Sequence, residues 1–177
     1  AAVLPIIAAN LVVAGGPYGA ESIYGLSTAS LPLPARLPSP PVLAQITRAI
    51  CGHKKLLVSY RSLSDRDNQE QRILEPHALV DTGIRWHVRA YSDATYDFRD
   101  FVLSRFTQAT CLNEPAESNV EFDDDWVEMV CLKLGPHADL DAPKRESLLL
   151  DYGASGEVLE INVRRALLGY VLPRLSV

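Results

Sequence analysis

From Lys55 onward the chain alternates. The stretch "KLLVSYRS" sets Leu56, Val58 and Tyr60 against Ser59 and Arg61, the period of two that marks a half-buried strand. A polar turn, "SDRDNQE", follows, and then "QRILEPHALV", a second strand interrupted by Pro76, which has no N–H for a ladder. In "DTG", Gly83 supplies the positive φ of a short hairpin connection. "IRWHVRAYS" reads as a third strand and "DFRDFVLSRFT" as a fourth. Four or five consecutive strands with short turns, over about sixty residues, predict a small antiparallel barrel rather than a parallel sheet.

Before Lys55 the period is that of a helix. "VLAQITRAICGH" places Val42, Ile46, Ala49 and Ile50 on one face, with Gly52 as its stop. Ahead of it, "LPLPARLPSPP" holds five prolines in eleven residues and reads as an extended linker. Residues 1–31 mix apolar runs with Gly15, Gly16, Gly19 and Gly25 and show no clean period. The opening "AAVLPIIAANLVVAGG" lacks a basic start and is broken by Pro5 and Asn10, well short of the roughly 20 apolar residues that span a bilayer. It reads as interior sequence rather than a secretion signal. After the strands, the acidic "NEPAESNVEFDDD" reads as a solvated linker. Beyond it come a strand in "WVEMVCLKLG", a helix in "DAPKRESLLLDYG" ending at Gly153, a strand in "EVLEINVR" and a final helix in "RALLGYVLPRL". The expected organisation is an N-terminal segment and linker over 1–41, a helix plus barrel over 42–112, an acidic linker over 113–125 and a small α/β module over 126–177. The fold class is mainly β plus α+β.

Composition narrows the chemistry. A 177-residue chain that is 47% hydrophobic can bury a real core. The net charge of −5 is uneven, with segment charges of +1 over residues 1–50, +1 over 51–110 and −7 over 111–177. This excludes a wide basic face for duplex DNA but leaves room for a local cationic pocket. Cys51, Cys111 and Cys131 form no CxxC pair and leave an odd thiol after any one disulfide, which points to reduced, cytoplasmic cysteines. His53, His77, His87 and His137 lack HxH or HExxH spacing, so no zinc site is expected. No GxSxG elbow, GxGxxG turn or Walker loop is present, which removes the commonest hydrolytic and nucleotide-cleaving designs and predicts a protein that is not an enzyme and has no cofactor.

Alternation in the third strand points Trp86, Val88 and Ala90 to the core and Arg85, His87, Arg89 and Tyr91 to the other side. Two guanidinium groups, an imidazole and a phenol on one face suit phosphate oxygens and a stacked base. Arg72 and His77 on the second strand, and Arg99 and Arg105 on the fourth, can add to the same mouth. The alternative is an ordinary polar strand face, with Arg99 or Arg105 paired to Asp97 or Asp100 on the rim. Periodicity leaves both readings open.

A resemblance favours the first. "SYRS", "RILEPHAL", "RWHVRAYS" and "FRDFVLSRF" follow the order and spacing of the WYL domain over Lys54 to Thr110, with "WHV" at the Trp-Tyr-Leu signature. The His-containing variant and "FVLSR" are similar to BrxR- and CapW-type regulators of phage-defence loci, and Trp126 to Val177 resembles the WCX extension that follows many WYL domains. The resemblance implies a dimeric bacterial transcriptional regulator, a repressor. It would carry an N-terminal winged helix-turn-helix for operator DNA, an Sm-like, SH3-type barrel that senses a nucleic-acid or nucleotide-like effector, and a C-terminal dimerisation module. Residues 1–50 show no helix-turn-helix pattern. Carried onto this chain, the implied ligand set is Tyr60, Arg61, His77, His87, Arg89, Arg99 and Arg105, with Trp86 left to the core. His87 stands where the signature has Tyr. Two other readings stand beside this one: a barrel that binds single-stranded nucleic acid without switching anything, and a phosphodiesterase built on His77 and His87.

Overall fold

In a computed structural model of the chain, which describes residues 36–63, 71–154 and 156–175, the helix after the proline run begins earlier than its hydrophobic face suggested. Helix α1 spans Pro40–Gly52, and Pro40 and Pro41 open it rather than extending the linker. Their missing N–H groups cost nothing in a first turn, where those donors have no intrahelical partner. Val42, Ile46 and Ala49 are its buried face. Gly52 is the last helical residue, and His53 takes the left-handed position (φ 48°), its N–H reaching Ala49 O and Ile50 O. The readings placed on residues 1–35, and on the turn over 64–70, lie outside the described residues.

Five strands follow: β1 (Lys54–Tyr60), β2 (Gln71–Asp81), β3 (Trp86–Ser92), β4 (Asp97–Val102) and β5 (Phe106–Pro115). They form one antiparallel sheet in the order β4-β3-β2-β1-β5. This is the sheet-rich fold the alternation predicted. The sheet is not a closed barrel: β4 and β5 are its edges, and no ladder joins them among the described residues. The run expected as one strand breaks at a 3-10 turn, Leu103–Arg105, which directs Leu103 and Phe106 inward to 1% and 3% exposure. Pro76 does not interrupt β2. The register slips by one residue, from Pro76 opposite Ala90 to Ala78 opposite Arg89, so His77 is the extra residue of a bulge. Bulges accept proline and re-aim a neighbouring side chain. Gly83 holds the hairpin turn with φ 72°, its N–H on Asp81 Oδ1 at 2.7 Å.

The core lies between α1 and the sheet. Ile46, Leu56, Leu74, Val88 and Ala90 are fully buried there, with Tyr60 set edge-on to Phe101 and Phe106 at 5.2 and 5.1 Å. Each large apolar side chain buried this way contributes about 1.5–3 kcal/mol. Trp86, expected in this core, is 37% exposed, because it is the first residue of β3, opposite Asp81 beside the hairpin turn, where the strand leaves the packed layer.

The stretch expected as a solvated acidic linker is largely structured. Its first residues end β5, Val120–Phe122 form a 3-10 turn, and Asp124–Val127 form a one-turn helix, α2, that contains Trp126. Beyond it, β6 (Met129–Leu134) and β7 (Leu159–Arg164) pair as an antiparallel ribbon, with α3 (Ala142–Asp151) between them and α4 (Leu168–Leu175) after. Asp141 caps α3 by accepting the Lys144 N–H at 3.0 Å, and Gly153 follows the helix with φ 64°. No helix among the described residues is long and apolar enough to cross a membrane.

Candidate functional site

The face of β3 away from the core carries His87 and Arg89, as alternation required, and both are almost fully buried, at 4% and 5% exposure. What covers them comes from later in the chain. Asp123, the residue before α2, is 1% exposed. Its carboxylate meets the Arg89 guanidinium side-on, accepting from Nε at 2.7 Å on Oδ2 and from Nη2 at 2.8 Å on Oδ1. The bulge at His77 brings a third donor, His77 Nε2, to Oδ2 at 2.9 Å, and the Trp126 N–H reaches Oδ1 at 3.2 Å.

Burial works against charge on Asp123, but the hydrogen bonds from Arg89 and His77 and the Arg89 charge outweigh it and hold the carboxyl below its ordinary value. An ionised carboxylate only accepts, so His77 carries its proton on Nε2. Burial lowers the His77 pKa further than Asp123 raises it, and the imidazole is neutral. Its Nδ1 is buried without a hydrogen-bond partner, and its ring stands edge-on to Phe98 at 5.6 Å and Trp126 at 5.3 Å.

A second carboxylate, Asp100, sits opposite Arg89 in the β3–β4 register, with Oδ1 3.4 Å from Arg89 Nη1. Tyr170 of α4 donates its hydroxyl to Asp100 Oδ2 at 3.1 Å and lays its ring against His87, centroid to centroid 4.9 Å. Burial, reinforced by Asp100, pushes the phenol up to about 12, so it stays a donor at neutral pH. His87 is different. Its Nδ1 has no hydrogen-bond partner, burial lowers its pKa against the pull of Asp100, and the charges of Arg85 and Arg105 lower it further. Arg85 and Arg105 are half-buried and form no ion pair among the described residues.

The predicted residues therefore divide. His77, His87 and Arg89 come together, with Arg105 near enough to act on His87. Arg61 lies just past β1, exposed, its N–H on Arg105 O at 3.1 Å. Arg99 is exposed opposite Ala90, on the other face of the sheet from Arg89. Tyr60 is in the core, its hydroxyl oxygen accepting from the Val102 N–H at 3.1 Å. Sequence reasoning missed Asp123 and Tyr170, and named Asp100 as a rim partner of Arg99 or Arg105 where the structure sets it against Arg89. Asp100 was legible in principle, since a hairpin pairing Ser92 with Asp97 must set Arg89 opposite Asp100.

Beside this network, Tyr91, Phe98 and Phe122 line a concavity of about 520 Å³ together with Lys55, Glu75 and Asp93. Glu75 is 3% exposed and accepts the Ser118 N–H at 2.5 Å. Among the described residues no group of three or more His, Cys, Asp or Glu is placed to hold a metal.

Comparison with known proteins matches two regions. Residues 41–111 match the WYL domain, and residues 129–177 match the BrxR transcriptional regulator C-terminal dimerization domain. The chain is 36% identical over 162 residues to the DNA-binding transcriptional repressor CapW of Pseudomonas aeruginosa, covering 90% of this chain and 53% of that one. It is 33% identical over 153 residues to the repressor of the same name from Stenotrophomonas maltophilia, covering 86% and 51% respectively. This chain thus spans about half the length of these relatives. Among solved structures, the proteasome accessory factor B/C of Arthrobacter aurescens aligns with 86% of the chain and 24% of its own length at 22% identity and a TM-score of 0.43. Residues 41–111 of this chain are therefore a WYL domain, followed over residues 129–177 by a BrxR-type C-terminal dimerization domain.

Proposed function

We propose that this chain is the effector-sensing and dimerising region of a DNA-binding transcriptional repressor, a regulator rather than a catalyst, working in the bacterial cytoplasm as a homodimer. The observation that carries the reading is the buried, unpartnered His87 Nδ1 flanked by Arg85 and Arg105, two cations with no ion pair among the described residues. A buried polar atom without a partner is rare enough to need a reason, and an anionic ligand supplies one. Its class is nucleic acid or nucleotide: phosphate oxygens for the guanidinium groups, and the aromatic-lined concavity beside Phe98 for a base. The name shared by the relatives supports operator DNA as the other partner, and the likeness to BrxR- and CapW-type regulators supports a phage-defence locus as the target. The effector then acts by population shift, favouring one arrangement of the dimer and so one arrangement of the DNA-binding domains.

The test is a titration of short single-stranded DNA, with Arg85→Ala and Arg105→Ala as variants. Loss of one charge-assisted contact of about 1.5–3 kcal/mol weakens binding roughly 10- to 100-fold. Unchanged affinity in both variants removes the site. The aromatic concavity equally suits a direct single-stranded nucleic-acid binder with no switching role. The two readings part on one measurement: the oligonucleotide lowers the operator affinity of the full-length repressor, or leaves it unchanged.

A further inference from the structure

Asp123 fills a donor set shaped for a ligand. Arg89 Nε and Nη2, His77 Nε2 and the Trp126 N–H converge on its two carboxylate oxygens at 2.7–3.2 Å. A planar guanidinium fork with an imidazole N–H and a backbone N–H is equally complementary to two oxygens of a phosphodiester. The occupant belongs to the same chain, 34 residues beyond Arg89 in sequence.

On the side facing the sheet, the segment that delivers it has one other ring contact, Trp126 edge-on to His77 at 5.3 Å. Phe122 and Val127, its apolar neighbours, are 67% and 53% exposed. Four of the five residues from Glu121 to Asp125 are acidic, so charge repulsion favours moving the segment outward once its carboxylate is displaced. On its far side the same segment grips the C-terminal module. The Arg164 guanidinium lies over the Trp126 ring at 4.6 Å and donates from Nη1 to the Trp126 carbonyl at 2.5 Å. Arg165 donates its backbone N–H to Glu128 O at 2.9 Å and pairs its side chain with Asp125 and Glu128. Six residues, Asp123 to Glu128, therefore connect the cationic face of β3 to the end of β7.

We infer that Asp123 is an internal anion occupying the Arg89–His77 half of the effector site, and that an effector phosphate binds by exchange with it, releasing α2 and its hold on Arg164 and Arg165. The inference rests on the effector-sensing reading above and supplies its regulation. Exchange explains why the site can open at all. Removing Asp123 without replacement strands a buried guanidinium, whereas replacing one anion by another keeps Arg89 compensated throughout. It also explains how occupancy of a WYL pocket reaches a dimerisation module: the group displaced is the group that ties the two together.

The experiment compares the parent chain with Asp123→Asn, which keeps the shape and a capping oxygen but removes the charge. Binding of a fluorescein-labelled single-stranded DNA of about nine nucleotides is read by anisotropy. With the competing carboxylate gone, Asp123→Asn binds on the order of tenfold tighter than the parent. Hydrogen exchange on the parent guards against a merely unstable variant: the oligonucleotide speeds exchange of the Trp126, Val127 and Glu128 amides, which bond back to Asp123 and Asp124 carbonyls in the free protein. Equal or weaker binding by Asp123→Asn, or a parent that binds while those amides stay protected, overturns the exchange and leaves the effector site standing. If neither protein binds, the effector-sensing reading falls and takes this inference with it.

Discussion

His87 is the residue where burial, charge and function meet. It is 4% exposed, its Nδ1 is unpartnered, and the groups around it are Asp100, Arg85, Arg105 and the Tyr170 ring. Burial lowers its pKa from the ordinary 6.5, and so it resists protonation in the fold but accepts a proton freely when unfolded. Its contribution to stability is therefore complete above 6.5 and lost as pH falls below it; His77, also lowered, has the same sign. The Asp123 carboxyl, held below its ordinary 3.8, stays ionised throughout that window. Thermal melts at pH about 7.5 and about 5.5 should show a clear fall in Tm, and a smaller fall in His87→Phe, which fills the space without titrating. An identical fall in the variant would remove His87 as a source of acid sensitivity. Alternation alone put His87 and Arg89 on one face. It had no means of showing that Arg89 is already neutralised, because Asp123 is remote in sequence and reaches the strand through a 3-10 turn whose composition reads as linker.

At the scale of elements, legibility followed the strength of the period. The face of α1 was plain, since Val42, Ile46 and Ala49 recur at helical spacing and are the residues buried. The β4–β5 junction was not: "FVLSRF" holds no Gly or Pro to mark a break, and it is the tertiary packing of Leu103 and Phe106 that breaks the strand at a 3-10 turn. Pro76 misled for a related reason. A proline within a strand pattern is a stop on local grounds, but β1 pairs with β2 only over Gln71 to Leu74, so the bulge at His77 lies beyond that ladder. Packing of α1 gives a direct check. Ile46 has 0% exposure in the centre of the helix–sheet interface, whereas Leu43 is only partly buried beside it. Ile46→Ala should cost about 2–5 kcal/mol in urea unfolding and Leu43→Ala clearly less, since the cavity term needs a site that cannot collapse. Equal losses would mean that α1 docks through a different face.

At the scale of the molecule, the two halves are built to different standards. The WYL sheet and α1 share a continuous core, while among the described residues of 129–175 only Val163 is buried, at 8% exposure. A two-stranded ribbon with short helices does not hold itself together in water on so little. Meanwhile Met129, Leu150, Val158 and Leu172 are 46–74% exposed. An apolar surface of that kind on an underfilled module calls for a partner, and the BrxR-type dimerization domain identified there makes a second copy of the chain the expected one. Light scattering should therefore give about twice the 19.5 kDa chain mass at micromolar concentration. Leu150→Asp and Met129→Asp, made separately, each forfeit the burial of one large side chain, worth about 1.5–3 kcal/mol, and should weaken the dimer at least roughly tenfold. Because the WYL core is independent of this surface, the dissociated variants should lose the β6–β7 module in melts at lower temperature while the main transition stays in place. A parent that is monomeric at these concentrations, or variants that dissociate no more readily, would mean that the exposed apolar residues meet something other than a second copy, and coupling from Asp123 to β7 would then have to be read through that partner.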